Sequence, residues 1–147
     1  MDNIGKLNAA IYRNLQSILN AKLKDIAIQS GQHDFFYVIS KNEGITQKEL
    51  SEYLHIGKST TTKAVKHMIH HGYVRKVKDE KDRRYARLYL TEAGKAVAPR
   101  LEATFKELIG ITTKNMSQQE IDQAIAFLNR ILKNVSDEKS VLSLNAD

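Results

Sequence analysis

Two sets of side chains in this sequence are spaced for chemistry, and both offer hydrogen-bond donors and positive charge instead of a nucleophile. The first is the run Lys58, Ser59, Thr60, Thr61, Thr62, Lys63, with Lys66 following at helical spacing. The second is Asp82, Arg83 and Arg84, set in the charged stretch KDEKDRRYARLYLTEAGK. Short hydroxyls and ammonium groups on one helix face can meet base edges and phosphates. A solvated loop needs no arginine pair at its tip, whereas a tip arginine can enter a narrow groove of negative potential. The constellations of enzymes are missing: the sequence has no Gly-rich phosphate loop, no G-x-S-x-G elbow and no H-E-x-x-H. No catalytic residue and no cofactor are therefore expected. His67 and His71 stand four apart and suit two metal ligands, but without cysteine and with the nearest carboxylates in the charged stretch a tetrahedral set is incomplete. No metal ligand is assigned.

Charge gives the same direction. Of the net +6, residues 57–95 carry eleven cations against four anions, a local +7, which leaves −1 for the rest of the 147-residue chain. A field segregated in this way favours a polyanion, and nucleic acid is the commonest. The length suits one domain, and 41% hydrophobic content suits a globular core. No apolar run approaches the roughly 20 residues that span a bilayer, and the N-terminus lacks a signal core. A soluble cytoplasmic protein with no membrane partner is expected.

The elements that must position these side chains follow from periodicity. Apolar residues from Ile4 to Ile26 recur three or four apart and predict one helix over residues 3 to about 28. A short helix carries Phe35, Phe36, Val38 and Ile39 and closes at Gly44, with a brief extended bridge expected at Ile45. Thr46 and Glu49 form a capping box for the next helix, through Leu50 and Leu54. Gly57 is expected to allow a sharp turn into a helix over residues 58–71. Thr61, Val65 and Met68, flanked by Ala64 and Ile69, make its buried stripe, so Lys58, Ser59, Thr62, Lys63 and Lys66 face outward. The segments YVRKV and ARLYLT read as strands, joined by the charged connection 79–85. Two helices with a tight turn and then a hairpin make a winged helix-turn-helix. Asp82 is placed to pair with Arg84 and hold it extended. Thr91 caps a further helix containing Pro99, and Ser117 with Glu120 opens a last one through Val135. The tail 136–147, without caps, is expected to fray.

Residues 45–94, ITQKELSEYLHIGKSTTTKAVKHMIHHGYVRKVKDEKDRRYARLYLTEAG, resemble the DNA-binding core of the multiple-antibiotic-resistance-regulator (MarR) family of transcription factors. The resemblance rests on the Ser-Thr helix start, the His-Gly-Tyr-Val stop, the Asp-x-Arg wing tip and the Leu-Thr-x-x-Gly close. His55 departs from the glycine that many helix-turn-helix proteins carry there, and histidine tolerates positive φ better than most residues.

What the resemblance implies is a mainly α fold with a small antiparallel β-hairpin. A winged helix-turn-helix lobe over 33–91 lies between dimerisation helices over 3–30 and 92–135. Lys58, Ser59, Thr60, Thr62, Lys63 and Lys66 fall on the recognition helix, and Asp82, Arg83 and Arg84 on the wing. It also implies a homodimeric repressor on a pseudo-palindromic double-stranded DNA operator. A small aromatic or anionic effector would release the DNA from a crevice lined by Tyr12, Leu15, Phe35 and Ile39. Two alternatives stay open: a winged-helix protein-interaction module, and a zinc-responsive regulator of the same fold. The local charge speaks against the first, since a protein-binding face favours Tyr, Trp and Arg over Ser and Thr.

Overall fold

The computed structural model describes residues 1–145, with side chains through residue 143. Six helices and one hairpin follow in the order α1 (Ile4–Lys22), α2 (His33–Lys41), α3 (Gln47–Leu54), α4 (Lys58–His70), β1 (Val74–Lys78), β2 (Ala86–Leu90), α5 (Glu92–Thr112) and α6 (Gln118–Asn145). Two compact units divide the chain after Leu108. Among the described residues no helix is long and apolar enough to cross a membrane.

In the unit over residues 1–108, Asn3 caps α1 by accepting a hydrogen bond from the Lys6 amide. The helix ends at Lys22, six residues before the expected end near residue 28. Leu23, Ile26 and Ile28 are nevertheless buried, reaching the core from turns instead of a helix. The cause is tertiary: the Arg100 guanidinium of α5 donates to the Lys22 carbonyl (2.9 Å) and grips the Asp25 carboxylate, so α1's last carbonyls find a partner off the helix axis.

The core of this unit gathers Phe35, Phe36 and Ile39 of α2, Leu50 of α3, Val65 and Met68 of α4, Val74 of β1 and Leu88 and Leu90 of β2, with Leu19, Leu23 and Leu101. Each fully buried large apolar side chain contributes roughly 1.5–3 kcal/mol. The Thr46 and Glu49 capping box is present at the start of α3, as expected. The turn into α4 differs. His55 takes the left-handed conformation (φ 54°), whereas Gly57 is extended (φ −63°, ψ 150°) with open space where a Cβ would stand. The chain reverses at histidine, and Gly57 needs no special freedom.

Helix α4 buries Thr61, Ala64, Val65 and Met68, but Ile69 is 37% exposed, because the next residue after Met68 is rotated off the core face. Its C-terminus closes through the left-handed Gly72 (φ 79°), with the Tyr73 amide donating to the Met68 carbonyl. The strands pair antiparallel, Val74 opposite Leu90 and Lys78 opposite Ala86. The connection 44–46 adds itself to the free edge of β2: the Gly44 amide donates to the Leu88 carbonyl (2.8 Å), the Leu88 amide donates to the Ile45 carbonyl (2.9 Å), and Thr46 bridges Arg87. Thr91 then caps α5 through the Gly94 amide.

In the second unit Ser117 and Glu120 cap α6 reciprocally. The expectation of fraying from Ser136 is corrected: α6 continues to Asn145, with the good helix formers Glu138, Lys139 and Leu142 in this stretch and Lys133 pairing with Asp137 one turn on. Residues 146 and 147 of that tail lie outside the described residues.

Candidate nucleic-acid interface

Helix α4 presents Lys58, Ser59, Thr60, Lys63 and Lys66 as exposed side chains. The hydroxyls of its opening run divide into two roles. Thr61 is buried, its hydroxyl donating to the Gly57 carbonyl (3.1 Å) and accepting from Ser51 (2.8 Å), which ties α4 to α3. Thr62 is half-buried, accepts from the Gln47 amide (2.8 Å) and donates back to the Lys58 carbonyl (2.8 Å). It therefore orients the first turn of α4 while only part of it faces solvent. Ser59 and Thr60 carry the outward hydroxyls.

The wing tip is built as the sequence suggests. The 79–85 connection folds back through Asp79 N to Tyr85 O (3.0 Å) and Tyr85 N to Asp82 O (3.1 Å). Arg84, 84% exposed, donates from Nε to Asp82 Oδ1 (2.9 Å) and from Nη2 to Oδ2 (2.7 Å), a two-pronged grip on a carboxylate that is 31% exposed. The guanidinium holds the Asp82 carboxyl below the usual carboxylate range. Arg83 stands exposed beside it.

An open groove of about 520 Å³ lies between the start of α3, the start of α4 and the hairpin. Lys48, Lys58, Lys76 and Arg84 line it from four different elements, with Glu52 as the one lining carboxylate. Helix α4 and the hairpin thus share one basic cleft. Lys48 and Lys76 were not among the sequence-predicted site residues. Lys48 sits just after the Thr46 cap, a position from which an α3 side chain can reach the cleft, and that was the available signal.

The remaining predictions fall elsewhere. Of the residues expected to line an effector crevice, Phe35 (2% exposed) and Ile39 (0%) are buried in the core of this unit. Leu15 packs partly buried against that core, while Tyr12 is 53% exposed. The His67 and His71 rings lie 4.3 Å apart, with burial as the main influence holding His67 below the ordinary histidine pKa. Among the described residues no group of three or more His, Cys, Asp or Glu is placed to hold a metal ion.

The MarR family model matches residues 25–84. The uncharacterized HTH-type transcriptional regulator YybA of Bacillus subtilis (strain 168) is 30% identical over 135 residues, 92% of this chain and 90% of that protein. The chain belongs to the MarR family. The solved structure of a MarR protein from Peptoclostridium difficile is 33% identical and superposes with a TM-score of 0.86, covering 93% of this chain and 90% of that one. FabT of Streptococcus pneumoniae, solved in complex with DNA, is 25% identical with a TM-score of 0.70 over 91% of this chain and 96% of that one. The winged helix-turn-helix of MarR regulators is thus the fold of this chain, as the motifs of residues 45–94 imply.

Proposed function

We propose that this chain is a cytoplasmic homodimeric repressor that binds double-stranded DNA sequence-specifically, with α4 in the major groove and Arg84 in the adjacent minor groove. The observation that carries the reading is the shared basic cleft. Outward Ser59, Thr60, Lys63 and Lys66 stand on α4, and an arginine pre-oriented by Asp82 stands at the wing tip. Small hydroxyls let the helix sit deep, and the lysines reach phosphates or guanine edges. Arg84, already held extended, loses less conformational freedom on binding than a free arginine would.

Dimerisation is supported by apolar faces that each unit leaves uncovered. In the first unit Ile4, Leu7 and Ile11 on α1 are 48–61% exposed. In the second, Ile125, Phe127, Leu128, Leu132 and Val135 on α6 are 43–62% exposed. Contiguous exposed apolar surface marks an interface, and a two-fold dimer matches half-sites about one DNA turn, 34 Å, apart. Release of DNA by a small aromatic or anionic effector, which family membership implies, completes the reading as a shift between two spacings of the recognition helices.

Selection of bound duplexes from a randomised pool tests the proposal. Enrichment of an inverted repeat with half-sites about 10 base pairs apart is the expected result. A pool that stays random after successive rounds, despite retention on the protein, would leave only a basic surface.

A further inference from the structure

We infer that Arg87 is a positioning residue for the wing: it clamps the loop end of the hairpin to the 44–46 connection and so sets the angle at which Arg84 is presented to DNA. The inference rests on the DNA-binding reading above. Arg87 Nε donates to Asp79 Oδ1 at 3.0 Å, and its Nη1 donates to the Gly44 carbonyl at 2.7 Å. The other carboxylate oxygen of Asp79 accepts the Asp82 amide at 3.1 Å. Asp82 in turn grips Arg84. A continuous hydrogen-bonded chain therefore runs from Gly44 through Arg87, Asp79 and Asp82 to the tip guanidinium.

The two ends of this chain matter to the same ligand. Gly44 lies two residues before Thr46, the cap of α3, and Thr46 itself bridges Arg87 through the backbone. One short connection thus positions the helix-turn-helix and the loop end of the hairpin together. A hairpin of two five-residue strands has little stiffness of its own. The direction of its tip depends on what ties the loop end of the strands. Arginine suits the task because one planar fork holds two acceptors at once, which lysine does not do. With Arg87 41% and Asp79 18% exposed, the pair is partly screened and its value lies in geometry more than in stability. Arg87 is also turned away from the groove, whose lining includes its neighbour Ala86.

A double-mutant cycle tests this, read by fluorescence anisotropy on a duplex enriched from a randomised pool, across a salt series, with thermal unfolding of each variant. Arg87→Ala is expected to weaken binding about tenfold in the wild-type background while leaving the salt slope unchanged. In the Arg84→Ala background it should cost nothing further, because the side chain it positions is gone. Arg87→Lys keeps the charge but not the fork, and is expected to fold and to bind more weakly than wild type; it carries the test if Arg87→Ala unfolds. An equal loss in both backgrounds, or a salt slope lowered by about one, would mean that Arg87 touches phosphate itself and would overturn the inference. So would wild-type affinity in Arg87→Lys and Arg87→Ala. If Arg84→Ala itself binds like wild type, it is the assignment of the wing arginine that fails. If no duplex is enriched, the DNA reading fails before either.

Discussion

Arg84 and His33 show how differently single residues speak from the sequence. The pairing of Arg84 with Asp82 is a local matter, two residues apart in one turn, and the Asp-x-Arg spacing is enough to anticipate it. His33 gives no such sign. It is 1% exposed at the start of α2, and neither ring nitrogen meets a hydrogen-bond partner among the described residues. Burial holds its pKa below the ordinary 6.5. The unfolded chain therefore takes up a proton near that value while the folded chain does not. Stability from neutral His33 is complete above the unfolded pKa and declines as pH falls below it. His67 is shifted in the same direction and adds with the same sign. Thermal unfolding from about pH 7.5 to about pH 5.5 should thus show a falling midpoint, and His33→Leu should flatten that fall. An identical pH dependence in the variant would remove His33 as its source. Burial arises from packing between distant segments, which is why composition and spacing around residue 33 do not announce it.

The elements were legible where local rules decide and opaque where tertiary contacts override them. Capping boxes at Thr46 and Ser117, the helix stop at Gly72 and the 79–85 connection were all readable, because each depends on residues within one turn. The end of α1 was not, since Arg100, 78 residues on, captures the Lys22 carbonyl. The helical spacing of Leu23 and Ile26 is real but serves burial from a turn. The turn between α3 and α4 was located correctly; its positive φ falls at His55, the residue that stands where the resemblance leads one to expect glycine, and not at Gly57. Gly94 is the reverse case, a glycine that is required for space. A Cβ there would fall 2.1 Å from the Tyr73 carbonyl oxygen and 3.3 Å from the Leu90 Cβ. Backbone cannot yield as a flexible side chain would, and the junction of hairpin and α5 must open. Gly94→Ala is expected to cost about 1–3 kcal/mol or more, seen as a lower urea midpoint. An unchanged midpoint would show that the junction gives way without strain.

On the scale of the whole molecule, charge and apolar surface are distributed to different ends of one task. The +7 of residues 57–95 falls mainly on α4, the hairpin and its connection, while α1 and α6 keep exposed apolar faces, which the proposed homodimer would cover. The first of these distributions could be counted from the sequence. That cations of α3, α4, β1 and the wing meet in one cleft could not, because it depends on the fold bringing Lys48 and Lys76 beside Lys58 and Arg84. Of the four residues that the resemblance leads one to expect at an effector crevice, Phe35 and Ile39 are core, Leu15 is partly buried and Tyr12 is exposed. The claim on which the rest depends is that this cleft reads DNA sequence, and the most direct measurement is fluorescence anisotropy of the intact protein against a selected duplex and its scrambled counterpart across a salt series. The account predicts a preference for the selected duplex of about 10³-fold or more at moderate salt, reduced by about 1–3 kcal/mol in Arg84→Ala. Equal affinity for both duplexes, vanishing together as salt rises, would contradict it.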